Sequence, residues 1–227
     1  MARIEFGHTL KPDPCPSLDL ARRDAANAPA TVEFFKRQGV RVVNMSWGGS
    51  VSAIENDLAQ CGVPQGANAQ KALARQLFDI GKAALTAAFA SAPGILFVAA
   101  AGNSNNDASF IEDMPADIVL PNLLTVGAVD RAGDEAPFTS YGPTVKLHAN
   151  GYQVESFLPG GARVALSGTS MAAPQVANLA AKLLAVNPTL TPVTLIELMT
   201  GSAERSADGR RILMNPKNAL AAAQATR

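Results

Sequence analysis

Residues 162–178 read ARVALSGTSMAAPQVAN, and a change of period within them decides the fold. Ala162 to Leu166 has the character of a short apolar strand and Gly168 permits a tight turn. From Thr169 onward Val176, Ala180 and Leu183 recur at helical spacing. Strand, glycine turn and helix in direct succession put Ser170 at a helix N-terminus. There the first N–H groups lack intrahelical partners and the helix dipole is positive, so negative charge growing beside the Ser170 hydroxyl would be stabilised. Pro174 is expected inside the first turn, where a missing N–H costs nothing. Asn187-Pro188 should stop the helix. A lone Ser before an apolar run is most often only a cap, so the weight of Ser170 depends on what else the chain supplies.

Working outward, Val40 to Met45, Ile95 to Ala100 and Leu123 to Val129 are unalternating runs rich in Val, Ile and Leu. Such runs are expected of parallel strands buried on both faces. Helical segments separate them: Ala69 to Ala92 carries Leu73, Leu77, Ile80 and Ala84 on one stripe, and Pro29 to Gln38 ends at Gly39. This alternation predicts an α/β layer fold. Ser50 to Asn68, which includes Cys61 and Gly62-Val63-Pro64, is expected as a long loop. Val193 to Met199 and Pro216 to Ala223 are expected as two closing helices, with Ser202 to Arg211 a charged surface loop between them. At 227 residues with 48% hydrophobic side chains, the chain can bury a core as one domain, 1–227.

Nineteen basic and nineteen acidic residues cancel, with no basic run, which argues against nucleic acid and membrane surfaces as partners. The longest helical apolar stretch, 83–101, contains Ser91, Pro93 and Gly94 and is not a membrane span. No carboxylate or Cys/His spacing suggests a metal site.

SGTSMAAP followed by QVAN resembles the nucleophile signature of the subtilisin-like serine peptidases, the subtilases. The resemblance implies that Ser170 attacks the scissile carbonyl of a polypeptide. GILFVAAA (94–101) running into Gly102-Asn103 resembles the subtilase strand whose terminal Asn reaches the oxyanion hole, which implies that role for Asn103. VVNMSWGG (42–49) resembles the strand along which extended substrate lies, implying substrate contacts at Ser46, Trp47 and Gly48. Ala100, Ala101 and Gly102 would line the specificity pocket with small groups compatible with a large apolar side chain. LLTVGAVD (123–130) and FTSYG (138–142) follow in the family's order, so the resemblance runs from about residue 40 to about residue 186. It implies a three-layer, mostly parallel sheet with helices on both faces. Gln175 and Asn178 stand where many subtilases have His and Gly.

Subtilases place an Asp and then a His, each in its own motif, before the strand that here reads VVNMSWGG, and neither motif is present. His8 follows a strand-like Arg3 to Phe6 and precedes the proline-spaced 11–16, where no helix starts. His148 lies in a stretch resembling a strand and turn. The chain is therefore expected to be a partial subtilase catalytic domain lacking the strand and helix that carry Asp and His. A missing N-terminal segment would then be its partner. Because the absent strand is interior in the family's sheet, its loss should leave unpaired backbone or force a neighbour to shift.

Without a base, a serine hydroxyl is a poor nucleophile, so the expected function is a serine endopeptidase domain that is weak or inactive as it stands. The alternatives are a serine esterase acting on activated esters and a silent peptide-binding pseudoenzyme. Calcium is possible by resemblance, at no assigned residue. Cys15 and Cys61, both expected in loops, either pair or stay free. A full-length parent would be extracellular or periplasmic.

Overall fold

Burial on both faces accounts for two of the three unalternating apolar runs, Ile95–Ala100 and Leu123–Val129, while Val40–Met45 is only half-buried, with Asn44 exposed. The computed structural model describes residues 15–64, 66–108 and 112–226; the expected strand Arg3–Phe6 and His8 lie outside them. In chain order the elements are α1 (Leu18–Arg37), β1 (Val42–Met45), β2 (Gly49–Ser50), α2 (Val51–Cys61), α3 (Ala67–Ala90), β3 (Leu96–Ala100), β4 (Asp113–Met114), β5 (Leu123–Val129), β6 (Val145–Asn150), β7 (Val154–Phe157), β8 (Arg163–Leu166), α4 (Thr169–Val186), α5 (Pro192–Gly201), β9 (Glu204–Arg205), β10 (Ile212–Leu213) and α6 (Pro216–Ala225). They divide into two units, residues up to 40 with 50–88, and residues 41–49 with 89 onward.

The second unit holds a six-stranded sheet in the order β1-β3-β5-β6-β10-β9, parallel except for β9 against β10. β3 and β5 are buried along their whole length. Leu96, Val98, Leu124, Val126 and Leu147 form one core with Val176, Leu179, Ala180 and Leu183 of α4 and with residues of α5 and α6. Each fully buried Leu or Val there contributes about 1.5–3 kcal/mol of hydrophobic stabilisation. The start of β5 is set by Asn122, whose buried Nδ2 lies within hydrogen-bond distance of the carbonyls of Phe89, Ala92 and Ile95 at 3.0, 3.0 and 3.2 Å. Among the described residues β1 pairs on one side only, with β3.

The stretch Ala162–Leu166 is a strand, as expected, but it belongs to an exposed antiparallel hairpin with β7 rather than to the core. Pro174 is not in the first turn. It is the sixth residue of α4, so its missing N–H leaves the carbonyl four residues back, that of Ser170, without its helical donor.

The first unit is helical. α1 begins at Leu18, where the Ser17 hydroxyl accepts the Leu20 N–H at 3.2 Å, and it runs through Pro29 instead of starting there. The expected loop 50–68 is largely helix α2. Its ends carry signals that composition obscured: Ser50 accepts the Ala53 N–H at 3.2 Å, and Gly62 closes the helix at φ 66°. Leu58, Ala74 and Leu77 form a small core with Leu18, Ala21, Val51, Ile54 and Leu73. Cys61 is the last residue of α2 and is disulfide-bonded to Cys15, so the pairing alternative is the one realised.

Candidate active site

Two strand ends and one helix start bring the chemistry together. β1 runs into Ser46–Gly48, β3 runs into Ala101–Asn103, and α4 opens at Thr169. Crevices beyond the carboxyl ends of parallel strands are where α/β sheets bind ligands. The Thr169 N–H donates to Asn103 Oδ1 at 2.8 Å, and the Thr169 hydroxyl lies 3.0 Å from the same oxygen. That oxygen must accept a backbone N–H, so the amide has one orientation and Nδ2 is left as its donor end. Nδ2 would lie 3.5 Å from a Cβ built on Gly168, the residue at the N-cap of α4. Asn103 is thus anchored to the residue directly before Ser170.

Ser170 is the second residue of α4, so its N–H has no intrahelical acceptor. An oxygen placed between this N–H and Asn103 Nδ2 would receive two donors, reinforced by the positive end of the helix. The Ser170 hydroxyl donates to the carbonyl of Ser46 at 3.3 Å. In return the Ser46 hydroxyl donates to the Ser170 carbonyl at 2.7 Å and accepts from Asn44 Nδ2 at 2.9 Å. That is the carbonyl deprived by Pro174, so Ser46 supplies the donor the helix cannot. The two serines therefore lock β1 to the start of α4.

Among the described residues neither imidazole nor carboxylate hydrogen-bonds the Ser170 hydroxyl. His148 sits on β6, where its Nδ1 accepts the Ile212 N–H at 3.2 Å. Its ring lies against Gly127, where a Cβ would come within 2.6 Å of Cδ2. Burial, only partly opposed by nearby Glu135, holds its pKa below the ordinary value; it is a neutral packing group.

Of the expected substrate contacts, Trp47 is 49% exposed and Gly48 is open to solvent, while Ala100 and Ala101 are buried. A groove of about 730 Å³ runs along α4 from Ser170 and Met171 past Gln175 to Lys182, lined also by Asn150 and Met214. None of Ser46, Trp47, Gly48 or Asn103 lines it. No group of three or more His, Cys, Asp or Glu side chains gathers among the described residues. No described helix is long and apolar enough to cross a membrane.

Residues 17–219 match the Subtilase family. This chain belongs to that family. The subtilisin-like serine protease Pen ch 13 of Penicillium rubens is 32% identical over 207 residues, covering 89% of this chain and 42% of the relative. Subtilisin DY of Bacillus licheniformis is 32% identical over 177 residues, 78% of this chain and 54% of the relative. The chain thus spans about half or less of the length of these curated relatives. Among solved structures, a cold adapted subtilisin-like serine proteinase superposes with TM-score 0.57 at 28% identity, over 84% of this chain and 59% of that one. The self-cleaved protease domain of PatA gives 0.62 at 26% identity, over 93% and 72%. The three-layer α/β class is that of the subtilases, a family of serine-type endopeptidases.

Sequence reasoning missed two contributors. The role of Ser46 as donor to the Ser170 carbonyl was signalled by the Pro four residues after Ser170, but its partner is 124 residues away. Asp113 was not singled out, because nothing in Glu112-Asp113 marks a carboxylate that folds against Gly48 and Gly102.

Proposed function

We propose that this chain is the nucleophile-bearing and substrate-binding portion of a serine endopeptidase. Ser170 Oγ attacks the peptide carbonyl carbon and the oxygen takes up negative charge between Asn103 Nδ2 and the Ser170 N–H. The amine leaves, and water then hydrolyses the acyl-enzyme. Substrate lies extended along Ser46–Gly48 and Ala100–Gly102. The proton on Ser170 has to go to a base, and we assign the base and its orienting Asp to a further segment that carries the family's Asp and His motifs, with the open edge of β1 as the place where an added strand would pair. The disulfide fits an oxidising compartment, in keeping with an extracellular or periplasmic parent. The anchoring of Asn103 to Thr169 carries this reading, since it aims a donor at the start of α4.

Without its base the chain is expected to hydrolyse peptides little or not at all. Loss of the nucleophile or the base costs about 10⁶ in turnover in subtilisin, with a residual of about 10³–10⁴ over water from the oxyanion hole and binding. The test is a fluorophosphonate probe, expected to label the wild type slowly, Asn103→Ala more slowly, and Ser170→Ala not at all. Equal labelling of wild type and Ser170→Ala would remove Ser170 as nucleophile. The Ser170 hydrogen bond to the Ser46 carbonyl favours a second reading, a silent peptide-binding module, and complete absence of labelling with retained peptide binding selects it. Turnover of p-nitrophenyl esters without cleavage of casein selects the esterase.

A further inference from the structure

We propose that Asp113 makes this cleft select peptides with Lys or Arg immediately before the scissile bond, the cationic end pairing with the carboxylate between Gly48 and Gly102. The inference rests on the reading of Ser46–Gly48 and Ala100–Gly102 as the two substrate walls, and it replaces the large apolar side chain that the small residues alone suggested.

Placement is the first support. A Cβ on Gly48 would lie 3.0 Å from Asp113 Oδ1, and a Cβ on Gly102 would lie 2.5 Å from Oδ2. Each carboxylate oxygen therefore faces one wall, and each wall is bare of a side chain at the point of contact. Gly102 also has φ +102°, a conformation that other residues avoid, so that wall stays open. A larger residue at either position would be pressed onto the carboxylate.

Lack of compensation is the second. Asp113 is only 8% exposed, yet among the described residues no Lys or Arg pairs with it. The nearby backbone N–H of Gly49 favours its charged form, which falls well short of the roughly four hydrogen bonds an ionised carboxylate can take. Burial, and then the like charge of Asp117, push its pKa up to about 6. A buried acid with unmet acceptor capacity is costly to keep, and a substrate cation arriving between the glycines would offset that cost. An apolar side chain in the same space would desolvate the carboxylate further and return nothing.

The experiment measures binding by fluorescence anisotropy of labelled peptides ending Ala-Ala-Pro-Arg-amide, Ala-Ala-Pro-norleucine-amide and Ala-Ala-Pro-Phe-amide at pH 7.5. Binding needs no catalytic base. Wild type should prefer the Arg peptide over norleucine by roughly tenfold, and Asp113→Asn, which keeps an acceptor for Gly49, should lower that ratio to about one while still binding the Phe peptide. Peptide binding without an Arg preference, or a preference unchanged in Asp113→Asn, overturns this proposal and leaves the cleft reading intact. Binding of none of the three peptides overturns the cleft reading and this proposal together.

Discussion

Replacing Ser46 by Ala tests the lock between β1 and α4. The hydroxyl donates at 2.7 Å to the Ser170 carbonyl, which Pro174 has deprived of its helical donor. Losing a hydrogen bond costs about 1 kcal/mol, and a part-buried carbonyl left without a partner brings the expected loss to about 2 kcal/mol. The origin of that loss is checked by repeating the substitution in a Pro174→Ala background. An alanine at this position carries an N–H directed at the Ser170 carbonyl one helical turn back, so there Ser46→Ala should cost only about 0.5 kcal/mol. The coupling between the two sites is then about 1.5 kcal/mol, well above the scatter of additive mutations. Urea denaturation of the four proteins, followed by circular dichroism, measures it. If Ser46→Ala costs the same in both backgrounds, the carbonyl is not what Ser46 serves and the reasoning fails.

Asp113→Asn has a pH signature in stability. The folded carboxyl keeps its proton up to about pH 6, while an unfolded Asp loses its proton near 3.8; the folded chain therefore binds more protons between these values and loses stability as pH rises through them. The variant should gain on the order of 3 kcal/mol relative to wild type between pH 4 and pH 7.5, and a flat difference across that range contradicts the assignment. His148 acts oppositely: its lowered pKa lets the unfolded chain take a proton first below about 6.5, so its contribution is present above that pH and fades below it. Because both proteins in the Asp113 comparison contain His148, the difference curve isolates Asp113. Cys15→Ser opens a cross-link spanning 46 residues and should cost about 4 kcal/mol by loop-closure entropy, read as a lower urea midpoint that reductant does not lower further. Asn103→Asp keeps an acceptor for Thr169 but puts a charge where the oxyanion forms, so probe labelling should fall by about 10² or more with little loss of stability. Met171 borders the groove beside Ser170; peroxide should slow labelling of Ser170 in wild type and leave Met171→Leu unaffected.

Leu123–Val129 could be read as a doubly buried strand because burial on both faces demands an unbroken apolar run. The helix from Thr169 to Asn187 was legible for a similar reason: its period and its stop signal are local. α2 was misread because Cys61, Gly62 and Pro64 weigh towards loop in composition, while the Ser50 cap and the Ile54, Leu58, Cys61 spacing favour helix. For α1, Pro29 reads as a beginning, and the cap at Ser17 together with packing of Leu18 and Ala21 carries the helix past it.

The amino-acid sequence by itself pointed to the layer class, the buried strands β3 and β5, the helix α4 and Ser170 and Asn103 as the candidate pair, since each is written in contiguous residues whose period or turn chemistry is local. Only the tertiary structure decided which hydrogen bonds orient them. The amide of Asn103 is turned by a backbone N–H 66 residues later, and the Ser170 carbonyl is satisfied by a hydroxyl 124 residues earlier. The approach of Asp113 to Gly48 and Gly102 is of the same kind. Contacts of that range arise when separate strand ends converge on one edge of a sheet, and the distance between chain-remote atoms leaves no periodicity in the sequence to read.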